Sequence, residues 1–284
     1  MNTLVRRCAL LLASLGVIDF ALASTATAQQ GVGNPPWHLV DLWWDLGEAR
    51  TFESLAIDFE LSDDVPETVN LYIAPIGLGK LSGTSFYGGI QTQIGPLTAT
   101  RSGQRLTLGR GAIFSRWDER SLDAVRLAQG GGCESSGYEG NFISVRNRFA
   151  WTKGQYTLQL RRMDVERIDD KPHTWVGMFM YGKAGGDERY VGAMRFPGAP
   201  LTLDRHLASF VEIYGRRIPL DKIPKLDVTI AAIRVNGQPI AEPHVRAIYP
   251  QGVPDYANAE AAKPGVVIHV GQPVERTQRA VRLF

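Results

Sequence analysis

Apolar residues recur at every second position over long stretches of this chain, and that spacing admits few folds. Leu55, Ile57, Phe59 and Leu61 alternate with Ala56, Asp58 and Glu60, and Val69, Leu71 and Ile73 with Asn70, Tyr72 and Ala74. Tyr156, Leu158 and Leu160 likewise oppose Thr157, Gln159 and Arg161. An extended strand sends successive side chains to opposite faces, so this period predicts strands with one face on a core. Two runs, Trp175–Tyr181 and Tyr190–Met194, are apolar on both faces. Such strands belong in the middle of a sandwich or have one face closed by a ligand or a covering loop. Turn formers punctuate the strands at Ser62–Asp64, Lys183–Asp187, Phe196–Gly198 and Asn236-Gly237, the last a hairpin signal because both residues tolerate positive φ. The expectation is an all-β antiparallel sandwich. Helix is expected only at Asp118–Gln129 and, as a turn or linker, at Asp255–Ala262.

The N-terminus reads as a secretory signal. Arg6 and Arg7 precede the apolar run Cys8–Ile18, which is too short to span a bilayer, and Ala26 and Ala28 suit cleavage after Ala28. Ala21 and Ala23 offer a second frame. This divides the chain into a signal peptide at 1–28, a sandwich domain at 29–220 and a small C-terminal β extension at 221–284, where composition shifts around Ile218–Pro224. An exported, periplasmic or extracellular protein with no membrane span is expected. A membrane barrel strand ending at Phe284 is not expected, because Arg282 and Ala280 break the apolar alternation. Thirty-one basic against 29 acidic side chains, net +2, leave no clustered basic surface for nucleic acid. The two cysteines are Cys8, lost with the signal, and Cys133, so no intrachain disulfide is expected. Zinc spacings are absent, the five histidines lying scattered at 38, 173, 206, 244 and 269.

Candidate chemistry gathers between Trp117 and Trp151, around a glycine-rich loop that begins at Gly130. Sugar recognition needs flat aromatic faces beside carboxylates, amides and guanidinium groups. Trp117, Tyr138 and Trp151, with Arg116, Asp118, Glu139 and Asn141, supply that set and form the expected ligand site. An extracellular or cell-wall carbohydrate is the expected partner. Cleavage of a glycan requires two carboxyl groups, for which Glu139, Glu134 and Asp118 are the candidates. The alternating Glu-x-Asp-x-x-Glu of sandwich-type glycosidases is missing, which favours binding over hydrolysis. Recognition of another protein is the third class. No cofactor is called for. Calcium is the one structural ion the composition suits, and Asp63, Asp64 and Glu67 are the candidates for its ligands.

Several segments together resemble a family of secreted bacterial proteins known as domain of unknown function 3472. They are Tyr87–Gln91, Ala112–Asp118, Gly137–Gly140, Phe149–Trp151, Gly154–Tyr156, Trp175–Tyr181 and Ser209–Glu212, which fall within residues 70–215. The resemblance implies a lectin-like, jelly-roll β-sandwich and no particular activity. It places Glu139 at the family's acidic loop position and Trp151 at an aromatic position, with Glu134 competing for the acidic role.

Overall fold

The alternating segments become strands of two stacked sheets in the computed structural model, which describes residues 32–95, 109–137, 140–182, 186–241 and 243–284. The leader, Tyr138 and Glu139 lie outside the described residues. In chain order the strands are β1 Trp37–Asp45, β2 Arg50–Thr51, β3 Ser54–Leu61, β4 Leu71–Leu81, β5 Thr84–Gln91, β6 Gly111–Trp117, β7 Val125–Leu127, β8 Gly132–Ser136, β9 Phe142–Arg148 and β10 Gly154–Ile168. They continue as β11 Lys171–Tyr181, β12 Glu188–Pro197, β13 Thr202–Leu203, β14 His206–Ile213, β15 Leu226–Val235, β16 Gln238–Pro239, β17 His244–Ile248, β18 Ala257–Ala261, β19 Val266–Val270 and β20 Ala280–Arg282. The first sheet runs β20-β17-β1-β14-β4-β5-β6-β9-β8, and the second β18-β19-β15-β3-β10-β11-β12-β7.

Their inner faces share one core. Phe86 and Phe114 of the first sheet meet Phe196 of the second at ring-centroid distances of 6.1 and 6.3 Å. Trp37, Trp44, Phe52, Phe59 and Trp151 are fully buried in the same cluster. Trp44 Nε1 donates to Ser209 Oγ at 3.0 Å, and Ser209 Oγ donates to Pro75 O at 2.6 Å, so the polar atoms among these rings are satisfied. Asn236 (φ 53°) and Gly237 (φ 77°) form the expected hairpin between β15 and β16. Among the described residues no helix is long and apolar enough to cross a membrane.

Three expectations are corrected. Asp118–Gln129 is not a helix: only Leu122–Ala124 makes one 3-10 turn, and Val125–Leu127 is an edge strand paired with β12. Ala257–Ala261 is strand β18, since its alanines Ala257 and Ala259 fill the core instead of an isolated helix. The segment after 220 is not an appended extension. β15 lies between β3 and β19 in the second sheet, and β17 flanks β1 in the first. Val32–Phe284 therefore form one unit.

Candidate functional site

The outer face of the first sheet is hollowed into a groove. Alternation places His38, Glu212, Tyr72 and Gln91 in one cross-strand row on that face, because His38 pairs with Glu212, Glu212 with Tyr72, and Tyr72 with Gln91. A second row runs Tyr87, Ser115, Ser144, Glu134, and a third pairs Trp117 with Phe142. Register shifts in β1 after His38 and at two places between β4 and β5 mark bulges, which bend a sheet. Small residues deepen the hollow. Gly77 lies under Phe210, where a Cβ would strike the ring, and Ala208, Ser115 and Ser144 keep the floor low. The resulting cavity is about 700 Å³, with Trp43, Tyr87, Trp117, Phe210 and Tyr214 on its walls. That volume suits a small ligand or a few units of a polymer.

The floor is polar. Glu212 is 5% exposed, and its Oε1 lies 3.7 Å from His38 Nε2. His38 Nδ1 is 2.9 Å from Asp41 Oδ1, so the imidazole stands between two carboxylates with its ring 4.6 Å from that of Phe210. Buried Glu134 is ion-paired with Arg146, whose Nε donates to Ser144 Oγ at 3.0 Å. The Tyr72 hydroxyl and Ser115 Oγ are buried with no hydrogen-bond partner among the described residues. Burial pushes the Tyr72 phenol well above its ordinary pKa, and neighbouring Tyr87 and Glu212 add to the rise while Arg146 opposes it. It stays a neutral hydroxyl, able both to donate and to accept.

The structure divides the residues expected in the site. Trp117 is on the groove, tilted against Tyr87 at 6.0 Å and edge-on to Phe142 at 5.9 Å. Glu134 is on its floor. Trp151 is not a ligand contact: it is 0% exposed, with Nε1 donating to Gln91 O at 3.3 Å and the Arg110 guanidinium 4.3 Å from its ring. Arg116 is also misplaced, because alternation turns it inward, where it donates to Arg195 O and lies over Phe196. Asp118 (φ 59°) and Asn141 are exposed turn residues, with Asp118 N donating to Asn141 O at 2.9 Å. Tyr138 and Glu139 are outside the described residues. Asp63, Asp64 and Glu67 are exposed and each has a partner in the protein: Asp63 accepts from Ser62 Oγ at 2.7 Å, Asp64 from Lys153 N at 2.7 Å, and Glu67 lies 3.6 Å from Arg110 Nε. Among the described residues no group of three His, Cys, Asp or Glu is placed to hold a metal ion.

Sequence reasoning missed His38, Asp41, Trp43, Tyr72, Gln91, Phe210 and Glu212, which come from β1, the β4–β5 hairpin and β14, three parts far apart in the chain. A usable signal was present. Gln91 and Glu212 are polar residues that each follow apolar ones, in the segments Tyr87–Gln91 and Ser209–Glu212 that stood out only for their family resemblance.

No family model matches the chain, and no curated protein matches it. Among solved structures, a crystal structure of scytalido-glutamic peptidase with a transition state analog inhibitor is similar with a TM-score of 0.38 and 8% identity, over 84% of this chain and 100% of that one. A likeness at that level carries no argument about what this groove does.

Proposed function

We propose that the chain is an exported carbohydrate-binding protein whose ligand lies in the groove of the first sheet. The groove itself carries this reading: aromatic walls stand above a floor of buried carboxylate, amide and hydroxyl groups. Rings accept the apolar face of a sugar, and the floor supplies donors and acceptors for its hydroxyls. The orphan hydroxyl of Tyr72, a lining residue of the groove, gains a partner when a sugar hydroxyl arrives, which removes the cost of leaving it unsatisfied. Export rests on the N-terminal sequence alone.

A glycan-array screen of the purified chain tests the reading. Reproducible binding, weakened roughly tenfold or more by Trp117→Ala and by Tyr87→Ala as expected for aromatic anchors, supports it. Absence of binding to every glycan rejects it and turns attention to a protein partner.

Cleavage of the bound glycan is a second reading, favoured by buried Glu212 beside His38 and Tyr72. Under it, Glu212→Gln retains affinity while release of new reducing ends stops. A wild-type chain that releases none from any glycan it binds excludes cleavage.

A further inference from the structure

We propose that the glycan is acidic, and that Arg246 and Arg282 hold its carboxylate or sulfate groups at one end of the groove; this rests on the carbohydrate reading. The first sheet continues past the groove through β1, β17 and β20, where Trp43 pairs with Arg246 and Arg246 with Arg282. All three side chains therefore stand on the groove side of the sheet. Trp43, 38% exposed, is a wall both of the groove and of an adjoining hollow of about 290 Å³ lined also by His206, His244, Arg246, Arg282 and Phe284. A ligand lying on the indole reaches both.

Like charges directly opposed across an antiparallel pair destabilise it, so two facing guanidiniums normally recruit a carboxylate. Neither Arg246 nor Arg282 has an ion-pair or hydrogen-bond partner among the described residues. Among the described residues, Asp45 beside them is held by Arg205, with Nε donating at 2.8 Å, and Asp204 by His206. On the other sheet, Arg126, Arg161, Arg162, Arg195 and Arg234 each sit on an acid. The facing pair has the fork geometry that takes carboxylate or sulfate oxygens two at a time. Neighbouring strands are about 4.8 Å apart, so a sugar stacked on Trp43 brings the substituent of the next unit over Arg246.

The test measures affinity of the full chain for three size-matched oligosaccharides, neutral, uronate-bearing and sulfated, at low and at high salt. Wild type should prefer an acidic ligand. The Arg246→Gln/Arg282→Gln double variant should weaken that binding by about tenfold or more, as expected for lost charge-assisted hydrogen bonds, and leave neutral binding unchanged. Whichever acidic ligand loses more identifies the anion. An Arg167→Gln/Lys171→Gln control makes the same charge change on the second sheet, and an equal loss there overturns the proposal in favour of diffuse attraction. Equal binding of neutral and acidic ligands, insensitive to the arginine variant, also overturns it but leaves the carbohydrate reading standing. No binding of any of the three overturns the acidic-glycan proposal, while the carbohydrate reading is decided by the glycan array.

Discussion

The two outer faces of this sandwich are built from the same strand chemistry and meet solvent in opposite ways. On the second sheet, aromatic rings are capped by the protein's own cations. The Arg126 guanidinium lies 3.9 Å from the Trp175 ring centre and that of Arg161 lies 3.6 Å from Phe179, and each is tied in turn to Asp164 or Glu188. On the first sheet no guanidinium lies over Trp43 or Trp117 among the described residues, and small residues between the rings leave a hollow instead of a lid. Whether an aromatic ring on these sheets is open or covered thus depends on the cation beside it. The distinction separates covered rings from open ones more sharply than residue type does.

The largest expected effect that tests this contrast comes from the two tryptophans first grouped together. Trp151→Ala should cost about 3–5 kcal/mol, read as a fall in the denaturation midpoint, because a fully buried ring leaves a cavity. Trp117→Ala should move the midpoint far less while carrying the affinity loss described above. A Trp117 variant as unstable as the Trp151 variant would break the division between core and groove.

Of intermediate size is the removal of a lid. Arg126→Ala uncovers Trp175 and frees Asp164, and should lower stability by about 1 kcal/mol without changing ligand affinity. A matching loss of affinity would show that the second sheet also takes ligand.

The smallest effect concerns His269, which bridges Asp227 at 2.7 Å and Glu260 at 3.2 Å on the second sheet. Burial lowers its pKa, but hydrogen bonds to the two carboxylates outweigh burial and the net shift is upward from 6.5. A raised imidazole pKa contributes stability that is fully present below the unfolded value and lost as pH rises through the folded one. The group is partly exposed, so about a few tenths of a kcal/mol is expected. Melting of wild type and His269→Gln should therefore differ most near pH 6 and converge above pH 8. A gap that widens with pH would contradict the sign.

The sandwich was legible in the sequence because period-two alternation is a local property of each strand. Leu55–Leu61 and Tyr156–Leu160 face the core as their spacing requires. The doubly apolar Trp175–Tyr181 was legible as well, though what closes its outer face was not, since Arg126 comes from 49 residues away in sequence. The groove was half legible. Trp117 and Glu134 lie within the loop-rich span where function was expected. Glu212, Tyr72 and His38 become neighbours only through pairings among β1, β4 and β14, and no local pattern encodes which strand will lie beside which. Arg116 failed for a simpler reason: adjacent to Trp117, it must point to the opposite face.

The placement of β1 also governs when the molecule can be completed. Its two neighbours are β14 and β17, so the hydrogen bond between Trp44 and Ser209 joins residues 165 apart in sequence. A ribosome that has delivered the first 200 residues has made a strand with both edges still unpaired, and neither can pair until His206–Ile213 and His244–Ile248 emerge. Closure of so long a loop precedes any reward from pairing, so β1 is secured late in folding. The strand that carries His38, Asp41 and Trp43 is among the first synthesised and among the last secured, and a chain cut short after residue 220 would present it as an open edge to its neighbours in solution.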